Sequence, residues 1–438
     1  MPAGGVPEWF NGAVLKTVVL EGTGGSNPSP SAFFLFQSFM YRNSTLLLAA
    51  FSAAFFINAC QQPADKTAAP GTESSSASNT TAPRPEMLLY AVMVDQLNLR
   101  EQASKAGKVI AQFPEGSFVI GSGEYSANKE EVTLRGVIYT EPYTKVTGTT
   151  AEPKNGWAFL GALQKVYAGT SASSPDLSTL TQLTTFLKSL NVKQIDSGKK
   201  AWDYVKSHFA DTKGPLADAA YILLDQFLSR MEVEGEYYKP MEAIQWTPED
   251  QESVYKYQFN YQKYPATRAF PANGFRLETA EGMVFPVADP MQLHAFFAPR
   301  ATPEMKTYLD QELQIEQNEH AWEDGGIVIP MEQLMDRCVF WERFNQSNPN
   351  FVLSEETRHS EKWIGDTFIS GANNTPAFDY ETGAVSPEYL KVWAYALEKY
   401  PQTKIAARIK EFTALIAAEG NKRTPKVEAY ISKLIQSE

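Results

Sequence analysis

Residues 46–57 (LLLAAFSAAFFI) form an almost unbroken apolar run, and the 25 residues that follow Cys60 contain almost nothing apolar. This contrast constrains what the chain can fold into. A run of 12 residues is too short to cross a bilayer, which takes about 20. The Ser-, Thr-, Ala- and Pro-rich segment 61–85 cannot bury enough surface to offset chain entropy, so it reads as a flexible tether with a reach of about 25–30 Å. The apolar run is thereby cut off from any core built further along, and folded structure is expected from residue 87 onward.

The junction itself carries a motif. Arg42 precedes the apolar run, and Ile57-Asn58-Ala59 leads into Cys60. This order of charge, apolar stretch and small residues resembles a bacterial secretory signal, and Ile57, Asn58, Ala59 and Cys60 resemble a lipobox. The resemblance implies a diacylglyceryl group on the Cys60 thiol, cleavage after Ala59 and acylation of the new amine. It implies an exported protein of the cell envelope, held to a membrane by lipid on the periplasmic side or at the cell surface. Residues 40–59 are then the signal peptide and 60–86 the tether. Residues 1–39 fit no part of a signal peptide and read as an over-long start, with Met40 as initiator.

Removing residues 1–59 from the 438 leaves 379, enough for two or three domains with real cores. The formal net charge is −12. Phosphate backbones are bound through Lys and Arg with release of counterions, so an acidic chain without a basic stretch is not expected to bind nucleic acid. The same charge disfavours anionic lipid surfaces, which leaves the lipid on Cys60 as the membrane link. There are two cysteines, Cys60 and Cys338. If the first is lipidated, no intramolecular disulfide forms.

Residues 87–168 read as short strands. Apolar β-formers at 88–94, 109–110, 118–120, 132–134 and 137–139 are punctuated by Gly107, Gly116 and Gly121. Three segments, LNLR at 97–100, GKVIAQFPEGS at 107–117 and NGWAFL at 155–160, resemble a bacterial SH3-like domain in content and order. The match covers about 80 residues, with the stretch between Gly123 and Pro153 lengthened into a long hairpin. The resemblance implies a small all-β barrel, able to fold alone, that binds wall peptide, glycan or another envelope protein without catalysis. Trp157 is expected to close the barrel core and also to border a groove. Tyr139 and Tyr143 are expected as exposed aromatics for binding.

Beyond the barrel the apolar period changes to 3.6. Leu177, Leu180, Leu183 and Leu187 form one stripe, Trp202, Val205 and Phe209 another, and Ala220, Leu223, Leu224, Phe227 and Met231 a third, giving a helical region over 175–235. Residues 236–300 are aromatic-rich and broken by prolines, with a strand expected over 282–287. Helices resume over 301–438. The expected fold class is multidomain α+β, a small all-β SH3-like barrel followed by a mainly α-helical domain.

No residue set emerges as catalytic. Cys338 lies in the helical stripe of Met331, Leu334, Met335 and Trp341, where small core residues sit. Glu312, Glu316, His320 and Glu323 line one helical side, and Glu356 and His359 form a single i, i+3 pair; both read as solvated charge rather than metal ligands. Asp379 and Glu381 precede Gly383 in a loop that reads as an Asx-type turn. The tyrosines and Trp246 of 237–264 read as core. No cofactor or metal is implied. Two rival functions stay open: an envelope enzyme, a hydrolase or metal-dependent, using carboxylates around 312–323, and a scaffold whose helical domain docks a protein.

Overall fold

The computed structural model describes residues 87–280, 283–318, 320–323 and 325–436. The segments 1–39, 40–59 and 60–86, with Ile57, Asn58, Ala59 and Cys60, lie outside the described residues. The architecture is mixed α+β: a curled antiparallel sheet of seven strands, followed by a helical region.

The strands are β1 (Met87–Val92), β2 (Gln96–Arg100), β3 (Val109–Pro114), β4 (Phe118–Leu134), β5 (Val137–Gly148), β6 (Asn155–Phe159) and β7 (Leu163–Gly169). They lie in the order β3-β2-β6-β5-β4-β1-β7, so the sheet stays open, with β3 and β7 at its edges. The lengthened hairpin between Gly123 and Pro153 is present as β4 and β5, which pair from Val119↔Gly148 out to Leu134↔Val137. Its tip is the two-residue turn Arg135-Gly136. Both residues have positive φ (50° and 83°), as a type I′ turn requires, and Gly136 adopts that geometry without a Cβ penalty. Register shifts between Gly121 and Tyr125 and again between Tyr125 and Lys129 bend the hairpin.

The continuous apolar sequence of β1, MLLYAV, is buried along its whole length. Side chains alternate across a strand. Met87, Leu89 and Ala91 belong to the core of the helical region, together with Phe118, Val166 and Tyr167. Leu88, Tyr90 and Val92 face the inside of the curled sheet, packing with Leu97, Leu99, Phe113 and Val119. The sheet is therefore covered from behind by helices along β1 and β7. That revises the expectation that residues 87–167 fold alone: cut out, the segment would expose the first of these faces.

Helices α1 (Leu177–Ser189), α2 (Asp196–His208) and α3 (Pro215–Glu234) follow. Asp176 caps α1 by accepting from the N–H groups of Ser178 and Thr179 at 3.2 and 3.0 Å. Helix α3 is buried over most of its circumference because it packs against β7, β9 and three helices at once. Next come α4 (Pro248–Tyr255), the hairpin β8 (Phe275–Ala280) and β9 (Met283–Ala288), α5 (Pro290–Phe297) and α6 (Pro303–Asn318). Trp246, Phe259, Tyr261 and Tyr264 pack ring against ring here, with centroids 5.3–5.6 Å apart. Phe259 is buried and Trp246, Tyr261 and Tyr264 pack partly buried against the core, whereas Tyr255 and Tyr257, expected in the core, are exposed because they lie at the solvent side of the end of α4. A short ladder, β10 (Trp322–Glu323) and β11 (Gly326–Ile327), leads into α7 (Met331–Ser347), α8 (Ser354–Ser370), α9 (Pro387–Lys399), α10 (Lys404–Ala418) and α11 (Pro425–Gln436). Among the described residues no helix is long and apolar enough to cross a membrane.

Candidate functional site

The bent hairpin carries its tip back toward α3 and leaves a cleft of about 220 Å³ where sheet meets helices. One wall is the sheet, with Val137, Tyr139 and Glu141 on β5 and Tyr90 and Lys165 on β1 and β7. The opposite wall is the polar stripe of α3. Gln226, Ser229, Arg230, Val233 and Glu234 recur at helical spacing on a helix that is otherwise mostly core. The start of α8 supplies Glu355 and Glu356.

At the tip end the walls are clasped by charge. Arg135 donates to Asp95 at 3.1 Å and to Glu115 at 3.0 Å. Arg230 donates to the same Glu115 carboxylate at 2.6 Å and to Glu234 at 3.1 Å. Glu115 is only 15% exposed, and both guanidiniums share it across the gap between sheet and helix. Burial alone would lower the Arg135 pKa, but its hydrogen bonds to the Glu115 and Asp95 carboxylates outweigh it and hold it up. At the far end Lys165, 12% exposed, donates to Glu355 at 2.9 Å. Its burial opposes the charged form, and the carboxylates of Glu355 and Glu356 more than compensate, raising its pKa. Burial pushes the neighbouring Glu356 carboxyl up to about 7. The part of Glu356 that remains accessible opens into the cleft.

Two polar groups of the cleft stand out. The Ser229 hydroxyl is buried, the residue being 3% exposed, and has no hydrogen-bond partner among the described residues. Buried polar atoms without partners are uncommon, and each calls for an explanation. Tyr139 lines the wall with its ring partly covered, and burial raises its phenol pKa.

The three aromatics expected to bind are not brought together. Tyr139 lies in the cleft. Tyr143, expected to be exposed, is 2% exposed and meets Phe159 edge-on at 5.6 Å. Tyr143 and its neighbour Thr144 are both buried, because the bent hairpin is covered on both faces there, which simple alternation does not anticipate. Trp157, expected in the barrel core, is only partly buried; Ala158 is the fully buried residue of that pair. The Trp157 ring lies 5.8 Å from the Lys145 ammonium and outside the cleft.

The other candidates have structural roles. Cys338 is 1% exposed, its Sγ lies 3.7 Å from the Glu361 carbonyl oxygen, and burial drives its pKa far above the thiol range, so no thiolate forms near neutrality. Glu316 is held by Arg276 and by the Tyr257 hydroxyl. Asp379 accepts from the N–H groups of Glu381 and Thr382 at 3.2 and 2.7 Å, an Asx turn that occupies its carboxylate. Among the described residues no cluster of three or more His, Cys, Asp or Glu could hold a metal.

Sequence reasoning missed Arg135, Lys165, Ser229 and Arg230, and it read Glu356 as solvated charge, whereas burial at the cleft raises the pKa of its carboxyl. One signal was available for the α3 pair: a polar stripe on a helix otherwise apolar nearly all round. Comparison with protein-family models, with curated proteins and with solved structures gives no match to this chain, so what it does has to be argued from the cleft.

Proposed function

We propose that the chain is a lipid-anchored cell-envelope protein that binds rather than transforms, receiving a small polar ligand from wall material or an envelope protein in the cleft between sheet and α3. The observation that carries this reading is the cleft itself, walled by Tyr139, lined by charged pairs and holding the unpartnered Ser229 hydroxyl. Pockets of this kind combine an apolar or aromatic wall with a few placed polar groups. The LNLR, GKVIAQFPEGS and NGWAFL segments contribute to β2, β3 and β6 of one curled sheet, which supports an SH3-like reading of this half. The motif at Ile57–Cys60 supports the anchor. Fold alone does not name a ligand.

Two measurements test this. Cys60→Ala should abolish incorporation of labelled fatty acid and release the protein from membranes; label that persists would remove the anchor from the reading. The full chain should co-sediment with purified cell wall or retain an envelope partner, and Tyr139→Ala should weaken that association at an unchanged melting temperature. Association untouched by Tyr139→Ala would move the site away from the cleft.

A further inference from the structure

The geometry points to the cleft as a receptor for a primary ammonium group on a small ligand, seated between the Glu356 carboxylate and the Ser229 hydroxyl with the Tyr139 ring in the wall. The inference rests on the proposed binding role and specifies the chemistry of what is bound.

The first argument is charge. The three cations of the cleft are already paired: Arg135 and Arg230 on Glu115, and Lys165 on Glu355, at 2.6–3.0 Å. An incoming anion would have to displace one of those carboxylates. Glu356 has no ion pair among the described residues; Lys165 is close enough to influence it but gives its hydrogen bond to Glu355. Glu234 and Glu355 are held by Arg230 and Lys165, which leaves Glu356 as a carboxylate of the lining that no cation pairs directly among the described residues. A cation therefore completes the charge balance, and an anion would worsen it.

The second argument is hydrogen bonding. An ammonium offers three donors. Glu356 and Ser229 both line the cleft, and a ligand N–H that reached the buried Ser229 oxygen would give it the partner it lacks among the described residues. An aromatic ring such as that of Tyr139 adds cation–π attraction. The third argument is size. At about 220 Å³ the cleft is below the range of about 300–1,000 Å³ usual for drug-sized ligands. One sugar ring or one amino-acid unit is the right scale. Amino sugars and lysine-type side chains both present a primary ammonium, and the test separates them.

Seating the ammonium requires Glu356 to be ionised. Its surroundings are Glu355 on the same helix, Lys165 from β7, and Tyr308 on α6, whose phenol is raised by burial and by Glu312, Tyr221, Glu356 and Asp225. Burial holds the Glu356 carboxyl at about 7, so affinity for an amine that stays protonated should rise with pH across neutrality, by several-fold between about pH 6 and pH 8. Affinity for glucosamine should rise less, because its own ammonium begins to lose its proton there.

Calorimetric titration of the full chain, purified in detergent, uses four probes: glucosamine, N-acetylglucosamine, Nα-acetyl-lysine amide and its Nε-acetylated form, in which no amine is left. One of the two amines should bind, and its acetylated form at least tenfold more weakly. Glu356→Gln should remove the pH dependence and most of the affinity, and Ser229→Ala should weaken binding several-fold, with both variants still unfolding in one cooperative transition at or above the wild-type melting temperature. Preference for glucosamine assigns a glycan source, and preference for Nα-acetyl-lysine amide a peptide source. Equal binding of an amine and its acetylated form, or pH-independent binding, overturns the inference. So does wall association without binding of either amine, which would leave the binding role standing. Amine binding without wall association would support the receptor and defeat the wall-binding role.

Discussion

Strands β1 and β2 are neighbours in sequence and share one sheet, yet their surroundings differ. All six residues of β1 are buried, while β2 buries only Leu97 and Leu99 and exposes the rest in part. Behind β1 and β7 lies the helical region; in the other half, Trp157 of β6 and Lys145 of the adjoining β5 pair side by side, both partly open to solvent. The near half of the sheet is thus part of a larger core, and the far half is a surface. The cleft sits where the first gives way to the second. Its sheet wall comes from β1, β4, β5 and β7 and its other wall from α3 and α8, so a ligand there bridges sheet and helices.

The comparison breaks most visibly if the near half does not need the helices. Expressed alone, residues 87–169 should give poorly dispersed amide spectra and self-associate, because Met87, Leu89, Ala91, Phe118 and Val166 lose their cover. A sharp, dispersed spectrum would show that the sheet stands by itself. Next in size, Leu89→Ala should cost about 2–5 kcal/mol, as truncation of a fully buried leucine does, and lower the melting of sheet and helices together. Two separate transitions, only one of them shifted, would divide the core that these residues share.

In the far half, Trp157→Ala should cost about 1–2 kcal/mol, less than the roughly 3–5 kcal/mol of a buried tryptophan. A loss as large as that of Leu89→Ala would mean the far half is as enclosed as the near one. Glu356 sharpens the picture through pH. Its carboxyl keeps a proton in the folded chain up to about 7, whereas the unfolded chain releases it near the ordinary glutamate value. Stability should therefore fall as pH rises from about 4.5 to 7, by roughly 1–2 kcal/mol once solvent in the cleft is allowed for. Glu356→Gln should flatten that decline in pH-dependent denaturation curves; an unchanged slope would assign it to another group, with Asp218, also raised to about 7 by burial, as the first to examine. Smallest is the clasp. Glu115→Gln should cost about 1 kcal/mol or less, and the loss should shrink in high salt.

The helical stripes were legible because burial on one side of a helix leaves a period in the sequence. Leu180, Leu183 and Leu187, or Ile405, Ile409, Phe412 and Ile416, are buried as that period requires. The strand at β1 was legible too, but the use of both of its faces was not drawn from its unbroken apolar run. Tyr143 and Trp157 failed for related reasons. Alternation tells which residues share a face, not which face a second layer covers, and a bend in the hairpin buries two neighbours at once. The cleft itself left almost no local trace. Tyr139, Lys165, Ser229 and Glu356 come from four elements spread over more than 200 residues, and only tertiary packing brings them to one cavity.

The position of β1 also bears on mechanical load. It begins at Met87, directly after the segment that leads back toward Cys60, and it lies between β4 and β7, antiparallel to both. Tension arriving along the chain from residue 86 enters the fold at the first residue of this interior strand, one in from the β7 edge. Ladder hydrogen bonds run across the strands, so a pull along β1 loads those on both sides in shear rather than one after another. The strand best placed to resist being drawn out is also the one that joins the two cores, and the far half of the sheet carries none of that load directly.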